Sequence, residues 1–100
     1  MVLELSLKEK SVLVTGGNRG IGLAIALAFA DEGANVAICG RDQAALATAK
    51  SAIEARGVKA HTIAADLFTA AGCEAAIKET ADTFGSFHVL VSNASTNIGG

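Results

Sequence analysis

The sequence predicts an α/β fold: a parallel sheet with helices on both faces, running β-α-β-α-β-α-β along residues 1–100 as the first half of a doubly wound arrangement. Three features predict it. Short β-branched apolar runs alternate with longer segments in which Ala, Leu and Ile recur at helical spacing, few residues separate one from the next, and glycines stand where a helix must end or a strand must turn. Parallel strands joined in this way need crossover connections, and these are right-handed.

Ser11 to Thr15 reads Ser-Val-Leu-Val-Thr, an unalternating run expected of a strand covered on both faces. Gly16 and Gly17 stop it, and Gly20 to Glu32 follows as an Ala/Leu/Ile-rich helix with Gly33 at its C′ position. Asn35 to Cys39 is the second strand. Asp42 then stands at an N-cap, and Leu46, Ala49 and Ile53 mark the inner face of a helix that Gly57 closes. Val58 to Ala64 is the third strand, and Thr69 is the expected cap of the last helix. That helix buries a stripe of Cys73, Ala76, Ile77, Thr80, Ala81 and Phe84 and ends at Gly85. Phe87 to Val91 is the fourth strand, which leaves Gly99 and Gly100 in the loop after it. No low-complexity tract, internal boundary or solenoid repeat interrupts residues 1–100.

Composition narrows the function classes. Eight Lys and Arg against ten Asp and Glu leave a net charge of −2, and no basic stripe of the kind that binds nucleic acid or an anionic membrane. Half the chain is hydrophobic (51%), but 21 residues are Ala and only 4 are aromatic, all Phe, so the core volume per residue is low. A domain this short buries only about 60–65% of its extended surface, so stability from these residues alone is expected to be marginal. Met1 to Lys10 interleaves charges with apolar residues and is no secretory signal. The longest apolar run, Ile21 to Ala30, is about half of the ~20 residues that cross a bilayer, and the chain reads as cytoplasmic. Two cysteines, Cys39 and Cys73, are too few for a disulfide framework and lack zinc spacing; both are expected to be reduced and buried, and no metal site is expected.

The chemistry concentrates in Thr15-Gly16-Gly17-Asn18-Arg19-Gly20-Ile21-Gly22, between the first strand and the first helix. Gly16 permits a tight exit from the strand, Gly20 and Gly22 remove side chains that would block a phosphate, and the helix start offers N–H groups and the positive end of its dipole. The loop is an anion cradle. It is not a Walker A loop, because Gly17-x-x-x-x-Gly22 is followed by Leu23-Ala24, and a G-x-G-x-x-G begun at Gly20 ends on Ile25.

The remaining spacing, Thr-Gly-x-x-x-Gly-x-Gly, resembles the nucleotide loop of the short-chain dehydrogenase/reductase family, and later positions extend the resemblance over nearly the whole chain. The resemblance implies a Rossmann-type dinucleotide fold, with Gly16, Asn18, Arg19, Gly20, Ile21 and Gly22 around the cofactor phosphates. At the end of the second strand Gly40 occupies the position where the family places an acidic residue for the ribose hydroxyls, and Arg41 follows it. An acid there repels a 2′-phosphate whereas an arginine accommodates one, so Arg41, with Arg19 as a second cation, points to NADP(H) over NAD(H). Asp42 could reach the ribose, but an Asp opening a helix is an ordinary cap.

After the third strand, Asp66 and Leu67 match the pair that in the family holds the adenine, where a carboxylate suits an exocyclic amine because it only accepts. After the fourth, Val91-Ser92-Asn93-Ala94-Ser95 is similar to the family's Asn-Asn-Ala-Gly segment, with Ser92 and Ser95 as departures. Asn93 would tie neighbouring strands while the backbone at Ala94 passes the nicotinamide ribose. Ser95 adds a Cβ where the family has none. His88 also departs, the family commonly carrying Asp there, and both His88 and His61 are expected to be hydrogen-bonded structural residues.

Family reductases use Tyr-x-x-x-Lys with an assisting Ser as the acid–base group. This chain contains no Tyr. The resemblance therefore implies that residues 1–100 are the cofactor-binding part of an NADP-dependent oxidoreductase truncated before its catalytic segment, with no catalytic residue of its own. The intact protein would move hydride between nicotinamide and a carbonyl or alcohol, take a small-molecule substrate, and associate with further copies of itself. The other reading is a stand-alone NADP(H)-binding or redox-sensing module without chemistry.

Overall fold

A computed structural model describes residues 7–16, 20–64 and 70–92. Its strands are β1 (Ser11–Thr15), β2 (Asn35–Gly40), β3 (Ala60–Ala64) and β4 (Val89–Ser92), in one sheet ordered β3-β2-β1-β4. Every pairing is parallel, with Val12 opposite Val36 and Val89, and Val36 opposite Ala60. Between them run α1 (Gly20–Asp31), α2 (Gln43–Glu54) and α3 (Ala70–Phe84). This is the expected Rossmann-type half.

Strand side chains alternate between two layers of core. Val12, Val14, Val36 and Ile38 face α1 and α2, where Ala26, Ala30, Leu46, Ala49 and Ile53 pack on them. Leu13, Ala37, Cys39 and Ile63 face the other way, onto Ala76 of α3 with Ile77 and Phe84 around it. The whole of β1 is buried, as its unalternating sequence predicts. Alanine at the helix positions that meet the sheet lets the backbones approach closely, so a core built on few large side chains still closes.

The caps follow the sequence. Asp42 has extended backbone and its carboxylate accepts from the Ala45 amide at 3.1 Å, and Leu46, Ala49 and Ile53 are the buried residues of α2. Gly33 ends α1 with φ +89, its amide donating to the Ala30 carbonyl at 2.9 Å. In α3, Ala76 and Thr80 are buried, and the Thr80 hydroxyl donates to the Ala76 carbonyl at 2.8 Å.

Several boundaries move, and two of them lengthen a strand: β2 runs on to Gly40 and β4 to Ser92. The helix α1 stops at Asp31, one residue short of Glu32. Strand β3 starts at Ala60, because the Lys59 amide leaves the ladder and donates to the Asn35 side-chain oxygen at 3.0 Å. Strand β4 starts at Val89, because the Ser11 amide donates at 3.0 Å to Nδ1 of the His88 ring, where a regular ladder would offer a carbonyl. The His88 amide still donates to the Ser11 carbonyl at 2.9 Å, and the Ser11 and Ser86 hydroxyls meet at 3.0 Å. His61 bonds to Glu79 at 2.6 Å, so both histidines are in structural hydrogen bonds. Of the two free cysteines Cys39 is buried but Cys73 only half so, since the first turn of α3 stands at the rim of its core layer. Thr69, Gly99 and Gly100 lie outside the described residues. Among the described residues no helix is long and apolar enough to cross a membrane.

Candidate functional site

Because all four strands are parallel, their carboxyl ends lie on one edge of the sheet, and the chain leaves every strand at that edge. Chain order reverses between β1 and β4, which lie side by side at the centre of the doubly wound plan, and ligands of such sheets settle outside that switch point. The Thr15 hydroxyl donates to the Val91 carbonyl at 3.3 Å and stitches these two strand ends together. The sequence carried no signal for that bond beyond a Thr at the end of a strand.

Directly after β1, Gly16 turns with φ +68 and its amide donates to the Cys39 carbonyl at 2.9 Å, carrying the β1–β2 pairing one residue past the strand. Gly20 opens α1 with φ +59, and a Cβ built on it would meet nothing within 4 Å. Backbone conformation therefore favours glycine at this position, and among the described residues the space beside it is open. The amides of Gly20, Ile21 and Gly22 have no carbonyl four residues earlier inside the helix. No acidic side chain occupies the first turn to neutralise the dipole. Gly22 is buried beneath this turn whereas Ile21 is 74% exposed.

After β2, Gly40 is half-buried and Arg41 exposed. Asp42 next to it holds the first turn of α2 through Ala45, so its carboxylate is engaged in the cap. Burial pushes the Cys39 thiol up to about 11, with the Cys73 thiol adding to the rise and the Gly16 amide opposing it. The sulfur stays protonated near neutral pH, pointing at the Val14 carbonyl 4.0 Å away, and is no nucleophile. Strands β3 and β4 end at Ala64 and Ser92 on the same edge. Asp66 and Leu67, Asn93 and Ala94, and Asn18 and Arg19 of the glycine loop lie outside the described residues. Of the sequence-predicted residues the structure thus places Gly16, Gly20, Ile21, Gly22 and Arg41, all at this edge. What they share is the carboxyl edge: after β1 come helix-start amides that have no partner inside α1, and after β2 an exposed arginine.

A family model described as short chain dehydrogenase matches residues 10–100. A 3-oxoacyl-[acyl-carrier-protein] reductase, FabG, of Staphylococcus aureus is 47% identical over 87 residues, 85% of this chain but 35% of that protein. The crystal structure of a short chain dehydrogenase from Burkholderia cenocepacia in complex with NADP superposes with a TM-score of 0.86 at 39% identity, covering 91% of this chain and 38% of that one. An NAD+-bound xylitol dehydrogenase superposes with a TM-score of 0.80 at 29% identity over 86% of this chain and 33% of its own. The chain thus spans about a third of the length of the proteins it matches.

Proposed function

The chain belongs to the short-chain dehydrogenase family of nicotinamide-dependent oxidoreductases, and from that premise we propose that it is the cofactor-binding part of an NADP(H)-dependent enzyme that interconverts a carbonyl and an alcohol. The observation that carries the choice of NADP(H) is at the end of β2. Gly40 stands where a ribose-binding acid would be, Arg41 is exposed beside it, and the carboxylate next in the chain, Asp42, accepts from the Ala45 amide at 3.1 Å. A 2′-phosphate arriving there meets a cation, and the adjacent negative charge is held in a helix cap.

The residues present fit the cofactor. The amides of Gly20, Ile21 and Gly22 receive its diphosphate at a helix start free of acidic side chains, and the absence of a Cβ at Gly20 keeps the approach open. Arg41 pairs with the 2′-phosphate, with Arg19 and Asn18 contributing from the glycine loop. Asp66 and Leu67 take the adenine, and Asn93 and Ala94 the nicotinamide ribose. When bound, the nicotinamide supplies or accepts the hydride. Proton transfer falls to a Tyr-x-x-x-Lys pair outside residues 1–100, since no Tyr occurs within them.

The test is titration of the full-length protein with NADPH and NADH, before and after Arg41→Ala. One charged hydrogen bond is worth about 1.5–3 kcal/mol, so NADPH affinity should fall roughly 10- to 150-fold while NADH affinity holds. Equal affinity of the unaltered protein for both cofactors would defeat the NADP assignment. Cofactor turnover with a carbonyl compound separates the enzyme from a non-catalytic NADP(H)-binding module.

A further inference from the structure

The cofactor reading uses one edge of the sheet and leaves the opposite edge without a role. At that amino edge Lys8 and Glu9 precede β1, Lys59 precedes β3, Arg56 follows α2, and Phe84 closes α3. Together they line a groove of about 630 Å³, within the range of small-molecule sites. We infer that this groove is a second binding site, for a small organic phosphate whose apolar part rests on Phe84.

The charge is the first argument. Three cations and one carboxylate line the groove, an excess of positive charge on a chain whose net charge is −2. The three cations are not equivalent. Arg56 donates from Nε to Asp31 at 3.2 Å and from Nη1 to the Ala52 carbonyl at 3.0 Å, so its charge is matched by a carboxylate and two of its five donors are engaged. Lys8 and Lys59 make no ion pair among the described residues. They present ammonium groups as point charges, which suit the dispersed charge of phosphoryl oxygens. Phe84 is half-buried against the α3 side of the sheet and offers a flat apolar wall, which an inorganic ion would not use.

The construction of the rim is the second argument. Glu9 has φ +66, the left-handed region that non-glycine residues seldom enter. It is held there by its own amide donating to the Gly33 carbonyl at 3.0 Å and by Lys10 donating to Leu7 at 3.0 Å. Gly33 lies so close to this segment that a Cβ on it would stand 3.3 Å from Lys8 Cα. The backbone that carries Lys8 is therefore seated on the rim by packing and hydrogen bonds.

The experiment uses the full-length protein saturated with NADPH, so that the opposite edge is filled, with phenyl phosphate as the probe and inorganic phosphate and benzoate as comparisons. Amide NMR shifts should saturate at Lys8, Gly33, Gly57 and Lys59, with phenyl phosphate binding about tenfold tighter than either comparison. The paired change Lys8→Gln and Lys59→Gln should weaken it by about tenfold or more, and each single change by less, with the rest of the spectrum unchanged. Benzoate binding as well as phenyl phosphate, shifts confined to Gly20, Ile21 and Gly22, no saturation, or unaltered affinity in the substituted proteins would each overturn the assignment. Failure of NADPH to bind, with the groove still saturable, would instead count against the cofactor reading.

Discussion

At the carboxyl edge of the sheet Gly20 has φ +59 and open space where a side chain would begin; at the amino edge Gly33 has φ +89 and the backbone of Lys8 3.3 Å from that point. Both backbones favour glycine, yet only at Gly33 is room short as well. The difference separates the work of the two edges. The amino edge is packed and hydrogen-bonded, with Glu9, Gly33, Ser11 and His88 locking the strand starts together. The carboxyl edge, among the described residues, leaves space at Gly20 and opens a helix whose first amides have no partner inside it.

Substituting alanine at each glycine should expose this contrast most strongly. Gly33→Ala adds left-handed strain to a close backbone contact and should destabilise the full-length protein by roughly 2–4 kcal/mol in urea unfolding. Gly20→Ala meets only the strain, about 1–2 kcal/mol, and should weaken cofactor binding as well. Equal losses at the two sites would erase the distinction.

Alkaline pH probes the buried end of β2. The Cys39 thiol has its ordinary value of 9.0 raised to about 11 on folding, so the folded state holds the proton more tightly than the unfolded one. The stability this contributes is fully present below pH 9 and is lost as the pH rises towards 11. The unaltered protein should therefore lose roughly 2–3 kcal/mol more than Cys39→Ala between pH 8 and pH 11. Parallel pH curves for the two would show that the thiol does not titrate in this way.

At the amino edge, His88→Ala removes the acceptor of a fully buried Ser11 amide and should cost about 1–3 kcal/mol, read as a shift of the urea midpoint. The ring must accept at Nδ1, so its neutral form carries the proton on Nε2, and a nitrogen-15 spectrum showing the other tautomer would contradict the bond. The smallest effect is expected at Asp42→Ala, about 1 kcal/mol from loss of the α2 cap. NADPH affinity should change little there, because the carboxylate works for the helix; a large change would move Asp42 into the cofactor site.

Much of this architecture was legible in the chain. Asp42 was readable as a cap because capping is a contact between residues three apart, and Leu46, Ala49 and Ile53 were readable as a buried face because helical period places them together. The unbroken apolar run of β1 signalled burial on both faces for the same local reason. The starts of β3 and β4 depart from the apolar pattern where a side chain replaces a backbone partner: Asn35 takes the Lys59 amide and His88 takes the Ser11 amide. Neither exchange leaves a mark in the spacing of apolar residues. Cys73 is less buried than its place on the α3 stripe implies, because the core layer under α3 gathers around Ala76, Ile77 and Phe84 further along the helix. At the carboxyl edge, Gly16, Gly20 and Gly22 were found through their spacing, whereas Thr15 bonding to Val91 needed the two strands side by side.

The sequence by itself determined the order and type of the elements, the Asp42 cap of α2 and the glycine turn after β1, since each depends on residues within a few positions of one another. Only the tertiary structure decided that β1 lies between β2 and β4, that His88 completes the ladder of Ser11, and that Lys8, Arg56, Lys59 and Phe84 share one groove. Parallel strands meet only after a crossover, so their partners lie far apart in the chain, and local periodicity carries no information about which distant segments will meet.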